Sequence, residues 1–352
     1  MIMIKQKTKH SGAMIFKLFI TGLILVSCGS REPNTGSTVT LTLGAYTVPK
    51  EAYQVEIIPA FQKYWLEKTG QTVEFRESYI ASGAQSRAIG GGFDADIAAL
   101  SLEKDIQRLV TKGLITHKWR NTTHGGFVTR SLVVMVFRKD NPKQIRGWED
   151  LTHADIDVVY PSPKTSGGAM WVVNAIYGAG LKMSEIQTGT SNPVVARLLL
   201  KDIQARVRVM DKSGRASVTT FENGIGDVLL TYENEVLLRQ KQGKAMPYII
   251  PDATISIENP IALVDRNIEK HGNRQVAEAF VEFVKQPLAQ RAFARYGFRP
   301  VDQEVAAEFA SEYPQPSALF DITYLGGWDQ VSLDIYSPEG IWATIMAELA
   351  QE

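Results

Sequence analysis

The residue types that point most directly to chemistry lie in Pro163-Lys164-Thr165-Ser166-Gly167-Gly168-Ala169-Met170-Trp171. This stretch joins a β-branched run, Ile156-Asp157-Val158-Val159-Tyr160, to the apolar run Trp171-Val172-Val173-Asn174-Ala175-Ile176-Tyr177. The order reads as strand, turn and buried helix. Thr165 or Ser166 stands where a helix N-cap belongs, and Gly167 and Gly168 leave the first-turn amides uncovered by side chains. Amides exposed at the positive end of a helix dipole form a ready anion site. The same residues also suit an ordinary glycine-rich turn, because Ser and Gly are common at helix starts.

The arrangement recurs at Tyr46-Thr47, at Ser82-Gly83 and at Ser213-Gly214-Arg215. Each follows a strand-like run (39–45, 72–76 and 207–211) and precedes a helical pattern, and the helix at 50–68 should kink at Pro59. Further strands are expected at 95–100, 131–137, 227–232 and 261–265, with a helix from Glu233. Strand–helix alternation of this kind is the signature of an α/β fold on a mostly parallel sheet. In such sheets the strand-to-helix turns gather at the C-terminal strand edge, where ligands bind. Several converging turns hold a dianion without a lysine or arginine touching it: each helix start supplies roughly half a charge, and each charge-assisted hydrogen bond adds about 1.5–3 kcal/mol.

Composition supports a globular chain of about two domains: 352 residues, 44% hydrophobic and 22% charged. The formal net charge is zero, yet residues 1–27 hold four lysines and no acid, which leaves 34 basic against 38 acidic residues, or −4, in the remainder. Nothing in that balance suggests a nucleic-acid surface, and it gives no overall field to draw in an anion. The five histidines form no His-x-x-x-His pair and have no cysteine partner, so a zinc site has weak support. Gly178-Ala179-Gly180 has Met183 where a dinucleotide fingerprint needs a third glycine, and there is no P-loop and no Gly-x-Ser-x-Gly elbow. No cofactor is expected.

The N-terminal segment is a targeting signal. After Lys17 comes a short apolar core, Leu18-Phe19-Ile20-Thr21-Gly22-Leu23-Ile24-Leu25-Val26, too short to span a bilayer. Leu25-Val26-Ser27-Cys28 resembles a bacterial lipobox, in which the cysteine is acylated. The expected division is a lipoprotein signal peptide at 1–27, lipidation at Cys28 and a flexible tether over 28–37. Cys28 is the single cysteine, so the body forms no disulfide and has no thiol chemistry.

Four groups of residues carry a resemblance over 39–328. They are Asn141-Pro142-Lys143-Gln144-Ile145 with Trp148 and Asp150-Leu151; Pro163 to Ala169 with Trp171; Gly224-Ile225-Gly226-Asp227-Val228-Leu229 with Glu233-Asn234-Glu235; and Gly326-Gly327-Trp328. In this order the chain resembles the periplasmic sulfate-binding proteins that feed sulfate/thiosulfate ABC importers. The resemblance implies a type II periplasmic-binding-protein fold, two α/β lobes joined by two crossover strands near 127–137 and 255–265, with the ligand in the cleft. Lobe I would comprise 38–130 plus 260–352, and lobe II 131–259. It implies binding of sulfate by uncharged donors, delivery to a membrane permease, a monomer outside the cytoplasm, and no enzymatic activity.

Residue by residue, the resemblance assigns ligand donors to Thr47 and Ser82 in lobe I. In lobe II it assigns Ser166, Gly167, Gly168 and Gly214, with Tyr232 as the ring donor. Arg215 would sit behind, bracing the Gly214 turn. Sulfate-specific members carry tryptophan at the position of Tyr232 and aspartate at that of Thr47, which leaves sulfate, thiosulfate and related oxyanions as alternatives. Phosphate is a further alternative ligand. A secreted sulfate- or phosphate-ester hydrolase using Ser166 is the alternative from another class. No Asp or Glu lies within the four turns, so a protonated phosphate oxygen would find no acceptor; Asp211 and Glu233 flank two of them.

Overall fold

The structure is a computed structural model describing residues 36–352, so the expected leader, Cys28 and most of the tether lie outside the described residues. The first part of the chain runs β1 (Thr38–Ala45), α1 (Lys50–Ala52), α2 (Ile58–Thr69), β2 (Thr72–Tyr79), α3 (Ser82–Gly90), β3 (Ile97–Ala99) and α4 (Glu103–Thr111). Next come β4 (Phe127–Phe137), β5 (Val158–Val159), α5 (Gly167–Thr188), α6 (Pro193–Gln204), β6 (Val207–Val209), α7 (Gly214–Glu222), β7 (Val228–Tyr232), α8 (Glu233–Lys241) and β8 (Tyr248–Ile249). The chain closes with β9 (Ala253–Leu263), α9 (Asp265–His271), α10 (Arg274–Phe283), α11 (Pro287–Arg295), α12 (Gln303–Glu308), β10 (Ala318–Phe320), α13 (Gly327–Asp334) and α14 (Ile341–Leu349).

The strands follow the order β2-β1-β3-β9-β4-β7-β5-β6, with β8 added on β4 and β10 on β9. β1 is parallel to β2 and β3, and β5 is parallel to β6 and β7. Between these two parallel groups lie the long antiparallel strands β4 and β9, paired from Phe127–Pro260 to Leu132–Ser256. Beyond that shared ladder β4 pairs β7 through residues 133–137, while β9 pairs β3 through residues 261–263. β4 thus joins one parallel group and β9 the other, and the two strands lie where the crossovers are expected. A near-continuous apolar run such as Ser131–Phe137 is what burial on both faces requires.

Aromatic pairs hold helices to each group. Phe61 on α2 meets Phe280 on α10 edge-on at 5.0 Å, and Trp171 on α5 meets Trp328 on α13 at 4.9 Å. Such pairs contribute about 0.5–1.5 kcal/mol beyond the area they bury. The helix at 50–68 is not uniform. A five-residue π-helical stretch, Tyr53–Ile57, joins α1 to α2, and Pro59 falls in the first turn of α2. The wider turn accommodates the proline ring.

The C-terminal elements bear on the expected division at 260–352. α9 to α12 cover the β1–β3 side, with Asn273 Nδ2 donating to Thr40 O at 3.0 Å. From β10 onward the chain turns to α5 and α6: Tyr336 Oη lies 2.9 Å from Met170 O, and Arg197 pairs with Glu348. We retain the two lobes as a proposal, and these contacts move residues 318–352 into lobe II within it.

Candidate ligand-binding site

The parallel strands of each group run toward one edge. Ala45 is in register with both Tyr79 and Ala99, so the turns after β1, β2 and β3 leave one edge together. Val159 is in register with Val209 and Leu229, which gathers the turns after β5, β6 and β7. These two edges meet. A Cβ on Gly83 would lie 3.0 Å from Thr165 O, one on Gly167 would lie 2.6 Å from Ser101 Oγ, and one on Gly168 would lie 2.8 Å from Tyr232 Cε2. Close approach, not a left-handed φ, is what demands glycine at 167 and 168.

Every expected donor falls at this meeting of edges. Among the described residues, no acceptor meets the amides of Thr47, Ser82, Gly83, Gly167, Gly168 or Gly214. These are first-turn or pre-helix N–H groups, the ones a helix leaves without an internal partner. Ser166 takes the N-cap position of α5, yet its side chain does not cap the helix. Its amide donates to Ser162 O at 2.9 Å, so the hydroxyl is the group it can offer. Ser213 does cap α7, accepting from Ala216 N at 3.2 Å, which leaves the Gly214 amide uncommitted.

Two residues that sequence reasoning missed complete the arrangement. Ser101 follows β3 and opens the turn to α4, a fifth turn of the same kind that carries no glycine to announce it. Its hydroxyl lies 2.6 Å from Tyr232 Oη, linking the two edges, and its carbonyl accepts from Trp171 Nε1 at 3.0 Å. Burial pushes the Tyr232 phenol up, partly offset by the Ser101 hydrogen bond, so it stays a neutral donor at physiological pH. Asp105 is the second. It accepts from Ser82 Oγ at 2.6 Å, while Ser82 Oγ accepts from Ser101 N at 2.9 Å. The Ser82 hydroxyl proton is therefore committed, and Ser82 can contribute only its amide.

The carboxylates expected to disturb a donor-only lining face elsewhere. Asp211 accepts from Ser217 Oγ and Thr220 Oγ1 at 3.0 Å, within its own helix start. Glu233 is fully buried against Arg299, at 2.6 and 2.9 Å. Asp105 lies close by, and its second oxygen is taken by Arg108 Nη1 at 2.8 Å.

Arg215 reaches further than the Gly214 turn it was expected to brace. Its guanidinium grips Glu235 at 2.9 Å on its own side, and across the edges Glu51 at 2.6 Å and Val48 O at 3.2 Å. Burial raises the Glu51 carboxyl, but the hydrogen bond and charge of Arg215 outweigh it and hold it below its ordinary value.

Residues 41–299 match the model of the bacterial extracellular solute-binding protein family. The chain belongs to this family. This solute-binding protein is 38% identical to the sulfate-binding protein of Synechococcus elongatus over 94% of both chains. It is 31% identical to the thiosulfate-binding protein of Pseudomonas aeruginosa, over 86% of this chain and 90% of the relative. The sulfate-binding protein SubI of Mycobacterium tuberculosis superposes with a TM-score of 0.76 at 35% identity, over 86% of this chain and all of SubI. The family places the protein outside the cytoplasm, and no helix among the described residues is long and apolar enough to cross a membrane.

Proposed function

We propose that this protein captures sulfate between its two edges of helix-opening turns and delivers it to the permease of an ABC importer. The observation that carries this reading is the set of uncommitted amides at Thr47, Ser82, Gly167, Gly168 and Gly214, gathered around the Tyr232–Ser101 hydroxyl pair. Supporting it are the sulfate-binding relatives and SubI. The donors are the Thr47, Ser82, Gly167, Gly168 and Gly214 amides with the Ser166 and Tyr232 hydroxyls, and Arg215 acts by holding the two sides together. Lipid on Cys28 would keep the protein, a monomer, at the membrane.

A donor-only shell selects by protonation state. Sulfate is fully ionised near neutrality and every oxygen accepts. Phosphate keeps a proton that needs an acceptor, and both oxygens of Asp105 are already engaged. An unsatisfied buried proton costs about 1–3 kcal/mol, so sulfate should bind at least about fivefold tighter than phosphate. Calorimetry with sulfate, thiosulfate, phosphate and molybdate tests this, and equal affinity for phosphate would overturn the donor-only account. Thiosulfate is the second reading, supported by the relative from Pseudomonas aeruginosa and by a phenol at Tyr232. A turnover assay on aryl sulfates and phosphates tests the hydrolase alternative, in which Ser166 would need a base beside it.

A further inference from the structure

Next to the Pro163–Gly167 turn, the two edges and the C-terminal segment enclose a cavity of about 210 Å³. Its walls bring together four cations from three places: Arg87 on α3, Lys104 and Arg108 on α4, and Lys164 just before α5. The one carboxylate on the wall is Asp105, whose oxygens are engaged by Ser82 and Arg108. Among the described residues, Arg87, Lys104 and Lys164 form no ion pair. Lys104 Nζ lies 5.3 Å from the centre of the Tyr336 ring, which its own hydroxyl ties to Met170 O. Burial, and then the like charge of Arg108, lower the Lys104 ammonium below its ordinary value. A group of cations held together without matching carboxylates is costly to itself and is relieved by an anion.

We propose that this cavity is a second oxyanion site, held by side-chain charge, which takes the anion at the mouth of the cleft before it reaches the buried turns. The inference rests on the oxyanion reading given above. It differs from the buried site in chemistry: lysine and arginine accept any small oxyanion, protonated or not, so this site attracts and the turns select. It also answers a difficulty in the charge of the chain. Residues 28–352 carry a formal −4, so the net field repels sulfate, and only a local cationic mouth can raise the encounter rate.

Selenate, an oxyanion with an anomalous X-ray signal, is the probe. Crystals of the wild type soaked in selenate should show one selenium peak among Lys104, Arg108 and Lys164 and another at the Ser166–Gly168 turn. In the Lys104→Gln/Lys164→Gln double variant the first peak should vanish and the second remain. No peak in the cavity overturns the inference, and a peak that survives in the double variant marks an adventitious ion only and overturns it too. A cavity peak without one at the turns overturns the buried-site reading alone. Stopped-flow rates give the role: at low ionic strength the double variant should bind sulfate about tenfold more slowly, with the difference lost at high salt. Equal rates at low salt would remove the cavity from the path of entry.

Discussion

At the scale of single residues, Tyr232 and Ser101 show how an uncharged pair can serve a charged ligand. Either hydroxyl can be the donor in their 2.6 Å contact, so one proton is shared between them and the other is left to point outward. Tyr232→Phe removes one donor and leaves Ser101 without its partner across the edges. A hydrogen bond to a charged group is worth about 1.5–3 kcal/mol, so sulfate affinity should fall about ten- to a hundredfold by calorimetry. Unchanged affinity would make Tyr232 a wall residue. Tyr232 was singled out by the family resemblance, at the end of an expected strand, but its partner was not. Ser101 and Tyr232 are 131 residues apart, and nothing local to either indicates the other.

At the scale of elements, α7 and α8 on one side and α1 on the other are tied by Arg215. The Glu51–Arg215 pair is partly open to water, which limits its worth to about 1 kcal/mol. Glu51→Gln should therefore release sulfate about fivefold faster, measured by stopped-flow, with little change in association. The pH dependence has a definite sign. Glu51 titrates below its ordinary value of 4.5, so its contribution is fully present above that value and is lost as pH falls through the lowered one. The sulfate release rate of the wild type should be flat from about pH 5 to 8 and rise only in stronger acid, whereas Glu51→Gln should show no such rise. A rise near neutrality would assign the effect to another group.

At the scale of the whole molecule, the ladder between β4 and β9 is the only strand pairing that joins the two parallel groups among the described residues. Two bodies linked by a pair of strands and the single segment between α12 and β10 can hinge, and a ligand gripped from both sides favours the closed arrangement by its differential affinity. Adding sulfate should lower the radius of gyration measured by small-angle scattering. Gly168→Asp should abolish both that change and the binding, because its Cβ would fall against Tyr232 and its carboxylate among the donors, while the circular dichroism of the fold is kept. Compaction in that variant would locate the ligand elsewhere.

The sequence alone determined what depends on neighbours along the chain. Period-2 and period-3.6 patterning marked most strands and helices, glycine and serine marked three of the helix-opening turns, and their order carried the family resemblance. Only the tertiary structure decided which groups remain free to donate. The Ser82 hydroxyl is withdrawn by Asp105, the Ser166 amide by Ser162, and Arg215 is drawn to Glu51, 164 residues earlier in the chain. The same holds for the cationic cavity, whose four side chains look like ordinary surface charges in the sequence. A hydrogen bond or a field depends on distance in space, and chain order does not record distance between remote turns.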